Sequence, residues 1–240
     1  MNGKNVDLTN KRTKPVAPLD AATLLLVDFK RKSPTVLMGK RHSRHSFMPE
    51  KYVFPGGKVE KFDQKMNVAG ALDPVIEERL LKYTRNPSPV KARSFALAAI
   101  RETFEETGNM LGTKHYGAPE AIAGTSWTQF SSFGVFPRLD CVHFIARAIT
   151  PPSYPKRYDT RFFLADASEI GHTIESIAGD DAEFTDLVWI PLEKASSLNI
   201  PSITERIIEE ARERIDKKMS LYLPVPFFRQ IRANYVRELI

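Results

Sequence analysis

Cysteine and long apolar runs are what this sequence has least of. Cys141 is the single cysteine among 240 residues, so the chain cannot form an internal disulfide, which favours a reducing compartment. No segment reaches the roughly 20 apolar residues that a membrane-spanning helix needs, and residues 1–20 lack the pattern of a signal peptide. We therefore expect a cytoplasmic protein without a membrane partner. Cys141 is expected to fill a strand-like apolar segment rather than act as a nucleophile.

Charge of one sign is not collected in a block either. The net charge is +6 and the isoelectric point is near 9.3, which suits either an anionic small molecule or nucleic acid. The Lys and Arg residues are interspersed with acidic ones, as on an ordinary solvated surface, and no stretch combines aromatic and basic residues for base stacking. We expect an anionic small molecule as the partner, and not nucleic acid.

The hydropathy pattern predicts one enlarged α+β domain, since 42% of the residues are hydrophobic and the chain is long enough to bury a core. The expected parts are a flexible leader, a main domain and a C-terminal helical extension packed on it, at residues 1–18, 19–200 and 201–240. Predicted strands cover residues 22–29 and 35–41 as a hairpin, 52–54, 139–149, 160–165 and, last, 184–190. Predicted helices cover residues 75–83, 91–107, 201–218 and 224–240. The last helix is amphipathic, and its apolar side would pack on the domain or on a second subunit of a homodimer.

Three carboxylates share one face of the predicted helix over residues 91–107. On a helical wheel Glu106 lies about 40° from Glu102, and Glu105 lies about 60° to the other side. Like charges at these spacings repel each other on an isolated helix by roughly 0.2–0.5 kcal/mol per pair. A divalent cation reverses the sign of that energy, so this face is a candidate metal site.

A glycine turn precedes the same helix. Residues 54–60 read Phe-Pro-Gly-Gly-Lys-Val-Glu and follow a short predicted strand. Paired glycines permit a positive φ and let a backbone carbonyl come close to a ligand. A plain turn is the alternative for Gly56 and Gly57 if they are considered alone.

Together these two segments resemble the Nudix box, whose pattern is Gly, five residues, Glu, seven residues, then Arg-Glu-U-x-Glu-Glu-x-Gly-U, with U bulky and apolar. Residues 101–108, Arg-Glu-Thr-Phe-Glu-Glu-Thr-Gly, match its second half, and Gly57 matches its first glycine. Asp63 stands where the pattern has its first Glu, and Asn109 stands in place of the final apolar residue. The seven-residue spacer is expanded by about thirty residues, over roughly 64–93. Interrupted boxes of this kind are similar to those of a Nudix subgroup that includes the peroxisomal coenzyme A diphosphatase of animals.

The resemblance implies a mixed β-sheet sandwiched between helices, the α/β/α Nudix fold. It also implies a pyrophosphohydrolase that cleaves a nucleoside diphosphate linked to another moiety, with coenzyme A or acyl-coenzyme A as the first candidate and ADP-ribose or dinucleotides as the next. Mg²⁺, or Mn²⁺, is the implied cofactor, because these ions prefer oxygen ligands and shield pyrophosphate charge. The implied metal ligands are Glu102, Glu105, Glu106 and the main-chain carbonyl of Gly57.

Other residues receive supporting roles by the same resemblance. Arg101, Gly56 and Asp63 would hold the site in shape, with Arg101 pinning carboxylates through charge-assisted hydrogen bonds. The general base is either a box glutamate, Glu105 or Glu106, or an acid on a distant loop, for which Glu175, Asp181 and Glu183 are candidates and Glu183 is preferred. Candidate substrate-binding residues are Arg41, Arg44 and Phe54. The insertion is expected to be either a lid or a neutral surface excursion, and the alternative function is a catalytically silent Nudix-fold sensor that binds nucleotide or RNA.

Overall fold

The computed structural model describes residues 16–30, 32–44, 48–175, 182–232 and 234–240, so residues 1–15 of the expected leader lie outside the described part. The strands are β1 (Leu19–Asp28), β2 (Thr35–Arg41), β3 (Tyr52–Val53), β4 (Gly56–Lys58), β5 (Asn109–Leu111), β6 (His143–Ile149), β7 (Tyr158–Asp166), β8 (Ile170–Thr173), β9 (Phe184–Pro191), β10 (Pro226–Ile231) and β11 (Asn234–Leu239). The α-helices are α1 (Pro74–Leu81), α2 (Pro89–Thr107), α3 (Trp127–Ser132) and α4 (Ser202–Asp216).

Within the described ranges, nine of these strands form one mixed sheet. Its order is β11-β10-β6-β7-β1-β2-β3, with β4 paired to β1 and β9 paired to β2. The predicted β1–β2 hairpin is confirmed by the antiparallel pairing of Val27 with Val36. The pairings of β1 with β7 and of β10 with β6 are parallel, while β5 and β8 make a separate antiparallel pair.

Two apolar cores lie on opposite faces of the sheet. One core holds α1 and α2, with Phe95, Leu97 and Ile100 fully buried. The other core packs Ile207 and Ile208 of α4 against Leu25 and Val27 of β1 and their neighbours on the sheet. The predicted α/β/α sandwich of the α+β class is therefore confirmed.

Local capping explains the ends of the two helices that lead to the box. Asp73 accepts a hydrogen bond from the Val75 N–H at 2.8 Å, with Pro74 in the first helical position of α1. Ser88 caps α2 in the same way, again followed by a proline. Gly108 ends α2 at φ 77°, the left-handed conformation that glycine adopts without strain. These boundaries follow from short-range signals, and the sequence predicted them closely.

The helix predicted over residues 224–240 is wrong, and β9 is not the last strand. Residues 226–231 and 234–239 form β10 and β11, which extend the main sheet instead of packing on it. Phe227 is buried in the α2-side core and Phe228 in the α4-side core. A strand buried on both faces has no polar alternation, so its apolar run resembles that of a helix. The amphipathic helix that was expected to pack on the domain or on a second subunit is thus a β-hairpin.

Cys141 lies in the turn that precedes β6 and packs against the α2-side core. Its thiol donates to the Arg138 carbonyl at 3.3 Å, and burial raises the pKa of the thiol to about 12. The residue therefore remains protonated near neutral pH, as expected of a packing residue. Across the described ranges, no helix has both the length and the apolar character required to span a membrane.

Candidate active site

The last two turns of α2 bring the three box glutamates to the edge of β4. Glu106 is 8% exposed, and its carboxylate accepts a hydrogen bond from the Gly56 N–H at 2.9 Å. Glu102 is nearly as buried, whereas the side chain of Glu105 is about one-third exposed. The helix face predicted from the spacing thus meets the predicted glycine segment directly.

Arg101 links the box glutamates to the segment that follows the two glycines. Its Nη1 donates to Glu102 and Glu105, both at 2.8 Å, and its Nη2 donates to the Lys58 carbonyl at 2.7 Å. Its Nε donates to Asp63 at 2.8 Å. The guanidinium is almost fully buried, and these carboxylates raise its pKa above the usual value against the effect of burial. One cation therefore compensates three carboxylates and fixes the chain that follows the glycines.

Asp63 is a fully buried partner of Arg101. One carboxylate oxygen also accepts from the Trp127 indole N–H at 3.0 Å, and the other accepts from the Glu60 N–H at 2.8 Å. This residue occupies a short 3₁₀ helix, Lys61–Lys65, so its position is fixed by local and distant contacts together. Its contacts are with Arg101 and with neighbouring N–H groups, which suits a supporting role.

The two glycines are required by close approach and not by a positive φ, since both lie in strand β4. A Cβ on Gly57 would stand 2.5 Å from the carboxylate of Glu102, and a Cβ on Gly56 would stand 2.4 Å from the Thr23 hydroxyl. Any side chain at residue 57 would therefore displace a box carboxylate.

Burial and mutual repulsion raise the pKa values of the two inner glutamates. Burial raises the pKa of Glu102 to about 7; Glu105 adds to this shift, while Arg101 opposes it. Burial also raises the pKa of Glu106 well above its usual range, and Glu102 and Glu183 raise it further. A bound cation would relieve this cost, so the charge pattern is one that a metal ion would stabilise.

The donor set fits a hard divalent ion held mainly by two carboxylates. Glu102 and Glu106 offer oxygen ligands, while one oxygen of Glu105 is taken by Arg101 and the other accepts from the Ser126 hydroxyl. In the described part of the chain, no three His, Cys, Asp or Glu side chains come together as a ready metal cage. Mg²⁺ is commonly bound by one or two carboxylates, while water and substrate phosphate complete its coordination. A site with two carboxylate ligands and no complete protein cage therefore fits this ion.

The known proteins with similar sequences include two Nudix-type hydrolases. No protein-family model matches the chain. The chain is 30% identical to nudix hydrolase 7 of Caenorhabditis elegans, over 54% of this chain and 38% of the relative. It is 33% identical to an acyl-coenzyme A diphosphatase of Xenopus laevis, over 32% of this chain and 25% of the relative. The chain thus spans well under half of the length of either curated relative.

The solved structure of a Nudix hydrolase from Alicyclobacillus acidocaldarius has a similar fold. It superposes with a TM-score of 0.60 at 25% identity, covering 81% of this chain and 90% of the other. Both its sequence and its fold are therefore similar to those of Nudix hydrolases. The similarity to Nudix hydrolases thus covers the sheet that surrounds the box as well as the box itself.

A cavity of about 800 Å³ opens beside the Nudix box. It is lined by the box glutamates and by three further residues predicted for the site, namely Arg41, Phe54 and Glu183. Arg41 and Glu183 form an ion pair of 3.5 Å at its rim. Arg44 lies exposed in a turn and Glu175 is also exposed; neither lines the cavity. Asp181, the third candidate base, lies outside the described residues.

The insertion in the Nudix box contributes no lining residue among residues 64–93. Its helix α1 instead contacts the C-terminal part of the chain, because Arg79 donates to the carbonyls of Leu221 and Leu223 at 2.6 and 2.8 Å. Directly after α1, Arg147 of β6 donates to the carbonyls of Lys82 and Tyr83. The insertion was expected to be either a lid or a neutral surface excursion, and these contacts do not support a lid. They show that the insertion packs against β6 and the C-terminal part of the chain.

Several residues at or near the site carry no recognisable signal in the sequence. Ser126 and Trp127 follow a loop and reach the box only through the fold. The far wall of the cavity, by contrast, includes Lys156, Thr204 and Arg206. A partial signal was available, since β1 and β7 place the small residues Ala21, Thr23 and Thr160 at alternating positions where a packed core has larger side chains.

Proposed function

We propose that this protein is a divalent-metal-dependent pyrophosphohydrolase whose substrate is a nucleoside diphosphate linked to another moiety. Coenzyme A or an acyl-coenzyme A is the first substrate to test, followed by ADP-ribose and dinucleotides. The observation that carries the proposal is the pair of buried carboxylates, Glu102 and Glu106, fixed by Arg101 and the Gly56 N–H at the wall of a large cavity. The similarity to a Xenopus laevis protein named as an acyl-coenzyme A diphosphatase supports the order of substrates.

In this proposal Glu102, Glu106 and the carbonyl of Gly57 would hold the metal ion. A bound Mg²⁺ or Mn²⁺ would shield the phosphate oxygens and stabilise the charge on the leaving group. Glu105 engages Arg101 with one oxygen and Ser126 with the other, so its role is to keep the guanidinium in place. Arg101 and Asp63 in turn hold the helix in register with the glycine segment.

Glu183 is the proposed general base. It lines the cavity, and its charge lies close enough to Glu106 to raise the pKa of that group. Glu183 would accept a proton from water while the water oxygen forms a new bond to phosphorus and the bridging P–O bond breaks. The leaving phosphate takes the electron pair of the broken bond. Arg41, paired with Glu183, would orient the base and face the incoming phosphates.

Product identification tests the proposal. Purified protein is incubated with Mg²⁺ or Mn²⁺ and, separately, coenzyme A, an acyl-coenzyme A, ADP-ribose, NADH and a diadenosine polyphosphate. Products are identified by mass spectrometry in ¹⁸O-labelled water. We expect cleavage of the diphosphate, one ¹⁸O atom in one phosphate product, and no turnover in EDTA. The proposal fails if none of these compounds is cleaved with either metal, and the protein is then better described as a binding protein of this fold.

A further inference from the structure

The cavity continues beyond the Nudix box across the α4 side of the sheet. Lys58 of β4 pairs with Ala21 of β1, Ala21 pairs with Thr160 of β7, and Thr160 pairs with Ala148 of β6. All four residues line the cavity. Neighbouring strands lie about 4.8 Å apart, so this row extends roughly 14 Å from the box towards β6. The cavity is thus long enough for a second part of a substrate.

Helix α4 begins at the wall of the same cavity. It packs against β6, and its residues Ser202, Ile203 and Thr204 line the cavity. No side chain caps its N-terminus, and Pro201 stands in the N-cap position. The first N–H of the helix with a recorded backbone partner is that of Glu205, which donates to the Pro201 carbonyl at 3.2 Å. Three N–H groups are therefore available at this end, where the helix dipole also favours an anion.

Thr204 is an independent sign of a ligand. The residue is only 6% exposed and lines the cavity. A helical threonine commonly donates to the carbonyl four residues earlier, but among the described residues the structure records no hydrogen bond from this hydroxyl. The hydroxyl oxygen itself keeps access to the cavity, so a ligand or a water there can satisfy it.

The charges at the two ends of the cavity differ in sign. Glutamates dominate the box end, whereas Lys156 and Arg206 line the end formed by α4. Glu205, the acid in the first turn of α4, is exposed and does not line the cavity. The box end suits a cation, and the α4 end suits an anion.

We propose that the N-terminus of α4, with Thr204, Lys156 and Arg206, is a subsite for a phosphomonoester on the same substrate whose diphosphate binds at the box. Three N–H groups, one hydroxyl and two cations match a tetrahedral dianion with three free oxygens better than they match a carboxylate. This inference rests on the proposed function. It restricts the substrate class to nucleoside diphosphate conjugates that carry an additional phosphate, such as coenzyme A.

Two matched pairs of variants test the subsite. Ser202→Pro removes one N–H at the first helical position, where proline is tolerated and where Pro201 already has the extended conformation that a following proline requires. Ser202→Ala keeps that N–H and is its control. Thr204→Val removes the hydroxyl at nearly constant shape, and Thr204→Ser restores a hydroxyl.

The readout compares coenzyme A with dephospho-coenzyme A, which lacks only the phosphomonoester. We expect wild-type protein to have a KM for dephospho-coenzyme A that is roughly tenfold higher than for coenzyme A, with a similar kcat. Ser202→Pro and Thr204→Val should raise the KM for coenzyme A several-fold without changing that for dephospho-coenzyme A, and the two controls should behave as wild type. Equal KM values for the two substrates in wild type, or equal increases in the variants, would overturn the subsite.

A binding measurement separates this inference from the proposed function. Adenosine 3′,5′-bisphosphate and AMP are titrated by calorimetry into wild-type protein in EDTA, where no metal is bound at the box. Tighter binding of the bisphosphate, lost in Thr204→Val and regained in Thr204→Ser, supports the subsite even if no substrate is cleaved. Equal affinities for the two nucleotides contradict it even if coenzyme A is cleaved.

Discussion

Gly56 donates its backbone N–H to the buried carboxylate of Glu106 at 2.9 Å and thereby joins the two halves of a motif that lie fifty residues apart in the chain. The contact depends on the absence of side chains at residues 56 and 57, where a Cβ would collide with Thr23 and with Glu102. The insertion between the two halves leaves this contact intact, because it is packed elsewhere. The site is therefore a single unit despite the interrupted motif.

Asp63 should matter for stability more than for metal binding. Asp63→Asn removes the charge that faces the buried Arg101, and breaking a buried pair on one side costs about 3 kcal/mol or more. Asp140→Asn, in the partly exposed pair with Arg138, is the matched control and should cost less than about 1 kcal/mol. Denaturant unfolding in EDTA measures both free energies of unfolding. Similar small losses in the two variants would show that Asp63 does not anchor Arg101.

Stability of the metal-free protein should fall as the pH rises towards neutrality. The pKa of Glu102 is about 7 in the folded state against a usual 4.5, so the neutral carboxyl is favoured by folding. The associated stability is fully present below pH 4.5 and is lost as the pH rises through 7. In EDTA, the Tm of wild type should therefore decrease over this window relative to that of Glu102→Gln. Parallel pH profiles for the two proteins would contradict the assignment.

Mg²⁺ should reverse this loss. Because the ion binds ionised carboxylates, the increase in Tm on adding Mg²⁺ should be larger at pH 8 than at pH 5.5. The same titration in Glu102→Gln should give a smaller increase at pH 8. An equal effect of Mg²⁺ at both pH values in wild type would show that the ion acts away from these groups.

The insertion should affect stability without affecting substrate binding. Arg79→Met removes two hydrogen bonds to the carbonyls of Leu221 and Leu223 and should cost about 1–3 kcal/mol of unfolding free energy. Its KM should equal that of wild type, because the insertion does not line the cavity. Arg85→Met, at an exposed residue of the same segment, should change neither quantity. A large change in KM in Arg79→Met would favour the lid that these contacts do not support.

The sequence predicted what local signals determine. The ends of α2 follow from Ser88, Pro89 and Gly108, and the alignment of Glu102 with Glu106 follows from helix geometry alone. The β10–β11 hairpin was missed because Phe227 and Phe228 are buried on opposite faces through contacts with distant parts of the chain. Trp127 and Thr204 were missed for the same reason, since each reaches the site only once the sheet has formed.

The most direct test of the account is Mg²⁺-dependent hydrolysis of coenzyme A by Glu106→Gln. The amide keeps the size of the side chain and can still accept from the Gly56 N–H, but it removes the charge that would hold the metal ion. Glu78→Gln, at an exposed residue of α1, is the control. We expect kcat to fall roughly a hundredfold or more in Glu106→Gln, with the fold retained, and to be unchanged in Glu78→Gln. Equal turnover by Glu106→Gln and wild type would contradict the proposed metal site and the mechanism built on it.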